Sequence, residues 1–172
     1  RMWKVPRIAL FGLAFTLVVL TTSFLCAAEW YKGHTHCHSL WSDGDTLPEL
    51  VAQRHKDLGY DFLTMSDHNV LMQGERWRDM RGKRPVKPEA IEEARRLFGP
   101  NALEVRGEGE KQQVRLKTLV EIRQLVEEPG KFLMIEAEEI TGRCGPKQVH
   151  VNAINVAEPI LPQEGGDVVE TL

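Results

Sequence analysis

Three of the chain's six histidines occupy every second position of one stretch, Gly33 to Asp45, which reads G-H-T-H-C-H-S-L-W-S-D-G-D. In a β-strand, side chains alternate between faces, so His34, His36 and His38 are expected on one side and Thr35 and Cys37 on the other. Same-face neighbours lie roughly 7 Å apart, close enough for two imidazoles to converge on one metal ion. Asp43 follows in a Ser-Asp-Gly turn and adds a carboxylate at the strand's end. A surface histidine tract would lack this setting of apolar entry, turn and helix start.

The pattern beyond this stretch alternates strands and helices. The first strand is predicted over Glu29–Ser39 and a helix over Pro48–Leu58, with Leu50, Val51 and Leu58 apolar and Gly59 as its stop. A second apolar strand, Tyr60–Met65, ends in Ser66-Asp67-His68-Asn69. Strand, helix, strand in so few residues is a βαβ unit, which implies parallel strands and a right-handed crossover. Chemistry in such folds collects at the carboxyl ends of strands, where Asp43, Asp67 and His68 lie. His55, among charged neighbours on the first helix, reads as a solvated surface residue.

The segment Val70–Gly130 is less informative. Helices are expected over Pro88–Phe98 and Leu116–Glu127, and the charged run Glu104–Gln113 has the composition of a turn or insertion. Arg76, Arg78, Arg81, Lys83 and Arg84 read as a solvated, salt-bridged face, with an anionic substrate as the other use. Phe132–Ile135 is an apolar strand running into Glu136-Ala137-Glu138-Glu139-Ile140-Thr141. Period two separates Glu136 and Glu138 from Glu139, so one set at most faces a site. A turn at Gly142–Pro146 leads to a strand over Gln148–Val156 carrying His150 and Asn152, with His150 a candidate ligand. A helix is expected to begin at Asp167–Leu172.

Residues 1–28 read as a secretory signal: Lys4 and Arg7 precede the apolar run Ile8–Leu20, and Cys26-Ala27-Ala28 suits cleavage. A retained membrane anchor is the alternative. Without Arg1, Lys4 and Arg7, the 22 basic residues fall to 19 against 25 acidic ones, a net charge near −6. That acidity disfavours nucleic acid as a partner. Of three cysteines, Cys37 and Cys144 would remain; Cys37 reads as a buried structural thiol, and a bridge between the two stays open. The remainder, 29–172, has the length and apolar content of a single domain.

Taken in order, H-x-H-S-x-x-S-D-G at His36–Gly44, S-D-H-N at Ser66–Asn69, E-E-I-T at Glu138–Thr141 and H-V-N-A at His150–Ala153 resemble the PHP (polymerase and histidinol phosphatase) superfamily of metal-dependent phosphoesterases. The resemblance spans Tyr31 to about Val156. It implies a distorted (β/α)7 TIM-like barrel, of which this chain would hold the N-terminal part, with up to three divalent ions (Mn, Zn or Fe) at the strand ends. His36 and His38 would hold the first ion, Glu139 would bridge to a second held by His150, and Asp43 with His68 would hold a third. Glu139, His36 and His38 would thereby generate the nucleophile. Asp67 would orient an imidazole, Glu138 is the frame-shifted rival of Glu139, and Asn69 would stand beside Asp67, behind the ligands. His34 departs from the family, which has Asp or Asn there.

The family draws further ligands from later strands, and no histidine follows His150. The expectation is therefore a truncated fragment, inactive by itself, of an exported enzyme acting on a phosphorylated small molecule. A metal-dependent hydrolase of carboxylic esters or amides is one alternative, and a noncatalytic metal-binding envelope module is another.

Overall fold

A computed structural model describes residues 29–82 and 84–162. The segment 1–28 read as a secretory signal, Lys83 and the helix expected from Asp167 lie outside the described residues. Contacts divide the chain into two units after Trp30, and every element below belongs to the second, Tyr31–Leu172.

The fold is mixed α/β, with a curled sheet of four strands. Strand β1 is only Gly33–His34, followed by helix α1 (Pro48–Asp57) and strand β2 (Phe62–Met65). β1 and β2 pair in parallel, Gly33 with Phe62 and His34 with Leu63. β6 (Leu133–Cys144) lies parallel to β2 on its other side, and β7 (Lys147–Ile154) pairs antiparallel with β6. A second, antiparallel sheet has the order β3 (Arg76–Asp79), β5 (Gln113–Leu116), β4 (Val105–Arg106). Helices α2 (Pro88–Phe98) and α3 (Leu119–Val126) and one short 3-10 turn (Gly109–Lys111) complete the set among the described residues.

Local chemistry fixes the helices. Pro48 and Pro88 open α1 and α2, where a missing N–H is harmless and φ is already helical, and each has an acid in its first turn and basic residues in its last. α3 starts at a capping box: Glu121 N–H donates to Thr118 Oγ1, and Thr118 N–H donates to the Glu121 carboxylate at 2.8 Å. That cap explains why α3 begins at Leu119 and not at the expected Leu116, which is committed to β5.

The first strand is far shorter than the expected Glu29–Ser39. Beyond His34 the chain leaves the ladder, although Ser66 N–H still donates to the Cys37 carbonyl at 2.9 Å. β6 runs through Gly142 because its partner β7 pairs with it as far as Cys144–Lys147, leaving only Gly145-Pro146 as the turn. Of the small sheet, only β4 and the first residue of β5 fall in the Glu104–Gln113 run expected to be turn or insertion. One core joins the layers, with Trp41, Leu47, Leu63, Met65, Leu116, Ile122 and Met134 all buried. Trp41 also donates from Nε1 to the Lys117 carbonyl at 2.8 Å, tying the segment after β1 to the small sheet.

Candidate metal centre

The parallel pairing of β2 with β6 ends at Met65 and Glu136, and the residues just past that point, after β2 and farther along β6, carry most of the site. Glu139 lies on β6, pairing across to Asn152, and Thr141 pairs with His150, so β7 delivers His150 to the same region. His68 sits beside Glu139 in a parallel bridge just past β2. Asn69 locks this arrangement. Its backbone N–H donates to the Glu139 carbonyl at 3.0 Å, its side-chain amide donates to the Thr141 carbonyl, and its Oδ1 accepts from Thr141 N–H at 2.7 Å. The side chain thus substitutes for a peptide group, at a left-handed φ of 49° that asparagine tolerates.

Four imidazoles surround the Glu139 carboxylate. His38 Nε2 lies 3.1 Å from Oε2, His68 Nδ1 2.8 Å from Oε2, His150 Nδ1 3.3 Å from Oε1 and His36 Nε2 3.8 Å from Oε1. Asp43 adds a second carboxylate, 2.7 Å from His38 Nδ1 and 3.5 Å from His68 Nε2. His38 thus donates from Nδ1 to Asp43, which leaves its Nε2 as an acceptor facing another acceptor. Neither His38 Nε2 nor Glu139 Oε2 has a hydrogen bond of sound geometry, and both are buried. Two buried lone-pair donors in this position are what a divalent cation takes up, and each polar group left bare is otherwise costly.

Three groups here can hold a metal ion: His36, His38 and Glu139; His38, Asp43 and His68; His68, Glu139 and His150. The donors are nitrogen and oxygen only, a set that suits zinc, iron and manganese. Glu139 is the deepest, its side chain 8 % exposed, whereas His36, Asp43 and His150 are near 40 % and form the mouth. The hydrogen bond from His38 holds the Asp43 carboxyl below its ordinary range, against a smaller opposing effect of burial.

Two residues with no role assigned from sequence position these rings. Thr141 Oγ1 contacts His68 Nδ1 at 2.6 Å and His150 Nδ1 at 3.1 Å, and Ser66 Oγ contacts His36 Nδ1 at 2.9 Å. Same-face spacing, Thr141 two residues after Glu139, was the available signal for the first. Gly44 permits the tight turn at Asp43: a Cβ there would sit 2.6 Å from the Ser39 backbone.

Three expectations are corrected. His34 does not join His36 and His38, because strand alternation ends with β1; its Nδ1 instead meets Nε2 of His55 at 2.7 Å. His55 is correspondingly half-buried, not a solvated surface residue. Asp67 orients no imidazole. It is fully buried and accepts four hydrogen bonds: from Ser39 N, Ser42 N and Ser42 Oγ to Oδ1, and from Ser39 Oγ to Oδ2, all at 2.6–2.9 Å. Burial pushes its carboxyl up, and the bonds from Ser42 and Ser39 pull it partly back. Asp67 is the peg on which the loop bearing His38 and Asp43 hangs.

Glu138 points away from this centre, buried, with Oε1 accepting from Ile160 N–H. Cys37 and Cys144 are both free thiols. Burial, then the Asp67 charge, pushes the Cys37 thiol up to about 11. Of the basic residues after β2, Arg78 donates to the Leu40 and Ser42 carbonyls and so braces the same loop, while Arg76 lies over the Trp41 ring. Among the described residues no helix is long and apolar enough to cross a membrane.

Compared with protein-family models, curated proteins and solved structures, the chain matches none.

Proposed function

We propose that this chain carries the metal centre of an exported, metal-dependent phosphoesterase of the polymerase and histidinol phosphatase type, on part of a (β/α)7 barrel. One observation carries the reading: a buried carboxylate, Glu139, set among four imidazoles, with its Oε2 and His38 Nε2 both lacking hydrogen bonds. The parallel order β1-β2-β6, with the ligands gathered at the carboxyl ends, supports the barrel reading. The N-terminal sequence supports export.

His36, His38, Asp43, His68, Glu139 and His150 would hold two or three divalent ions. Such ions supply an acidified water and an electrophilic clamp for phosphoryl oxygens. The chain's own residues do the positioning. Thr141 and Ser66 fix three rings, Asp67 and Arg78 fix the loop of His38 and Asp43, and the exposed His36, Asp43 and His150 leave the centre open to a phosphorylated small molecule.

The test is hydrolysis of a phosphomonoester, a phosphodiester and a carboxylic ester by the metal-loaded full-length protein, with Glu139→Gln beside it. Phosphoester turnover that falls at least about 100-fold in the variant, together with lost metal, supports the proposal. Turnover of the carboxylic ester alone would assign a different hydrolase, and ion binding without any turnover would leave a noncatalytic metal-binding module.

A further inference from the structure

A second set of metal-ligating side chains lies outside the centre around Glu139. His34, Cys37 and His55 each present a ligand atom, and these atoms all lie within 4.8 Å of one another. They come from the end of β1, the segment after it and the last turn of α1. None belongs to the three groups of the main centre.

The tautomer of His55 favours a ligand role. Its Nδ1 lies 2.8 Å from the Val51 carbonyl, which can only accept, so Nδ1 carries the proton and Nε2 keeps its lone pair. A backbone carbonyl behind the ring is the usual support of a metal-bound histidine. Without an ion, His34 Nδ1–H satisfies that lone pair at 2.7 Å. On a tetrahedral ion the two nitrogens would stand about 3.3 Å apart, so small ring rotations suffice. Cys37 and His55 line one pocket of about 560 Å³ between α1 and α2, bordered also by Leu50, Val51 and Ala90, which gives an ion a way in.

We propose that His34, Cys37 and His55 form a separate zinc-type site, two imidazoles and a thiolate with the fourth position open to water. The thiolate distinguishes it from the nitrogen and oxygen donors around Glu139, because sulfur selects zinc-like ions over harder ones. Binding displaces the thiol proton to solvent and forms a metal–sulfur bond, with no change of oxidation state. An ion here cross-links β1 to α1 and fixes the backbone on both sides of His36. This inference does not depend on the reaction catalysed at the main centre.

The experiment is a cobalt(II) titration of the chelator-treated full chain. A sulfur-to-cobalt charge-transfer band in the near ultraviolet is expected, which ligands of nitrogen and oxygen cannot produce. Cys37→Ser should abolish the band and lower the bound cobalt by one ion per chain. His55→Gln should weaken binding at this site at least about tenfold and leave the remaining cobalt in place. Should Cys37→Ser fail to fold, zinc protection of the wild-type thiols against alkylation, mapped by mass spectrometry, gives the same answer: Cys37 protected, Cys144 not. No sulfur band in the wild type, a band that survives Cys37→Ser, or alkylation of Cys37 unaffected by zinc would each overturn the site and leave a hydrogen-bonded histidine pair.

Discussion

Replacing Asp67 separates a ligand from a scaffold. The carboxylate is fully buried and accepts four hydrogen bonds at 2.6–2.9 Å from Ser39 and Ser42. Asp67→Ala strands the Ser39 N–H, leaves the Ser42 N–H only its 3.1 Å bond to the Ser39 carbonyl, and opens a cavity. Bonds to a charged acceptor are worth roughly 1.5–3 kcal/mol each, but these share one carboxylate and water can enter, so a loss of about 4 kcal/mol is expected. With a urea slope of about 2 kcal/mol/M, the midpoint falls by about 2 M. Asp67→Asn is different, because Oδ1 alone accepts three of the four bonds and the amide nitrogen can donate to Ser39 Oγ. The neutral amide also removes the burial penalty that raises the acid's pKa. A loss near 1 kcal/mol and an unchanged metal stoichiometry are expected. Urea unfolding paired with metal analysis checks both variants. If Asp67→Asn folds normally and yet loses metal, Asp67 is a ligand or ring-orienting group and the scaffold argument is wrong.

Further outcomes follow from other contacts. Lys117→Met leaves Glu49, buried and paired at 2.9 Å, without its cation, and should cost about 3–5 kcal/mol by thermal or urea unfolding, whereas Glu49→Gln with Lys117→Met should recover much of it. Gly44→Ala presses a methyl group onto the Ser39 backbone and should destabilise by about 1–3 kcal/mol while weakening metal retention by the neighbouring Asp43, read by dialysis. Arg115 grips Glu121 through two nitrogens at 2.5 and 3.1 Å and holds its carboxyl down to about 2. A depressed folded pKa means this stabilisation is complete above the ordinary value of 4.5 and is lost as pH falls through about 2. The pair is about a third exposed, so screening reduces the contribution to about 1–2 kcal/mol. The fall in urea midpoint between pH 7 and pH 3 should be smaller for Glu121→Gln than for the wild type, by part of that contribution, because the remainder is lost only as pH falls on through about 2.

Helix α2 was legible to the residue, because Pro88, the helical apolar spacing and Gly99 are all local signals. The parallel pairing of the first two strands was legible for the same reason. β3, β4 and β5 were not: R-W-R-D and Q-V-R-L are short and charged, and each is a strand only through partners up to about 40 residues away. In the site, the H-x-H pair, Asp43, His68, Glu139 and His150 were candidates from sequence, and the structure brings all six together. The fate of His34 was hidden because alternation presumes a continuing ladder, and where β1 stops depends on β2. Asp67 looked like a histidine partner because His68 adjoins it in sequence; only the fold brings Ser39 and Ser42 to it.

The three groups able to hold an ion form a closed triangle in which His38, His68 and Glu139 are shared corners, while His36, Asp43 and His150 each belong to one group. The corners are also the more buried residues. Substitutions at two corners should therefore couple, since each removes ligands that the other also disturbs, whereas changes at two of the outer residues should come closer to adding. Tolerance to change in this centre is set by membership in the triangle more than by distance from it, and variation is expected to enter from the rim.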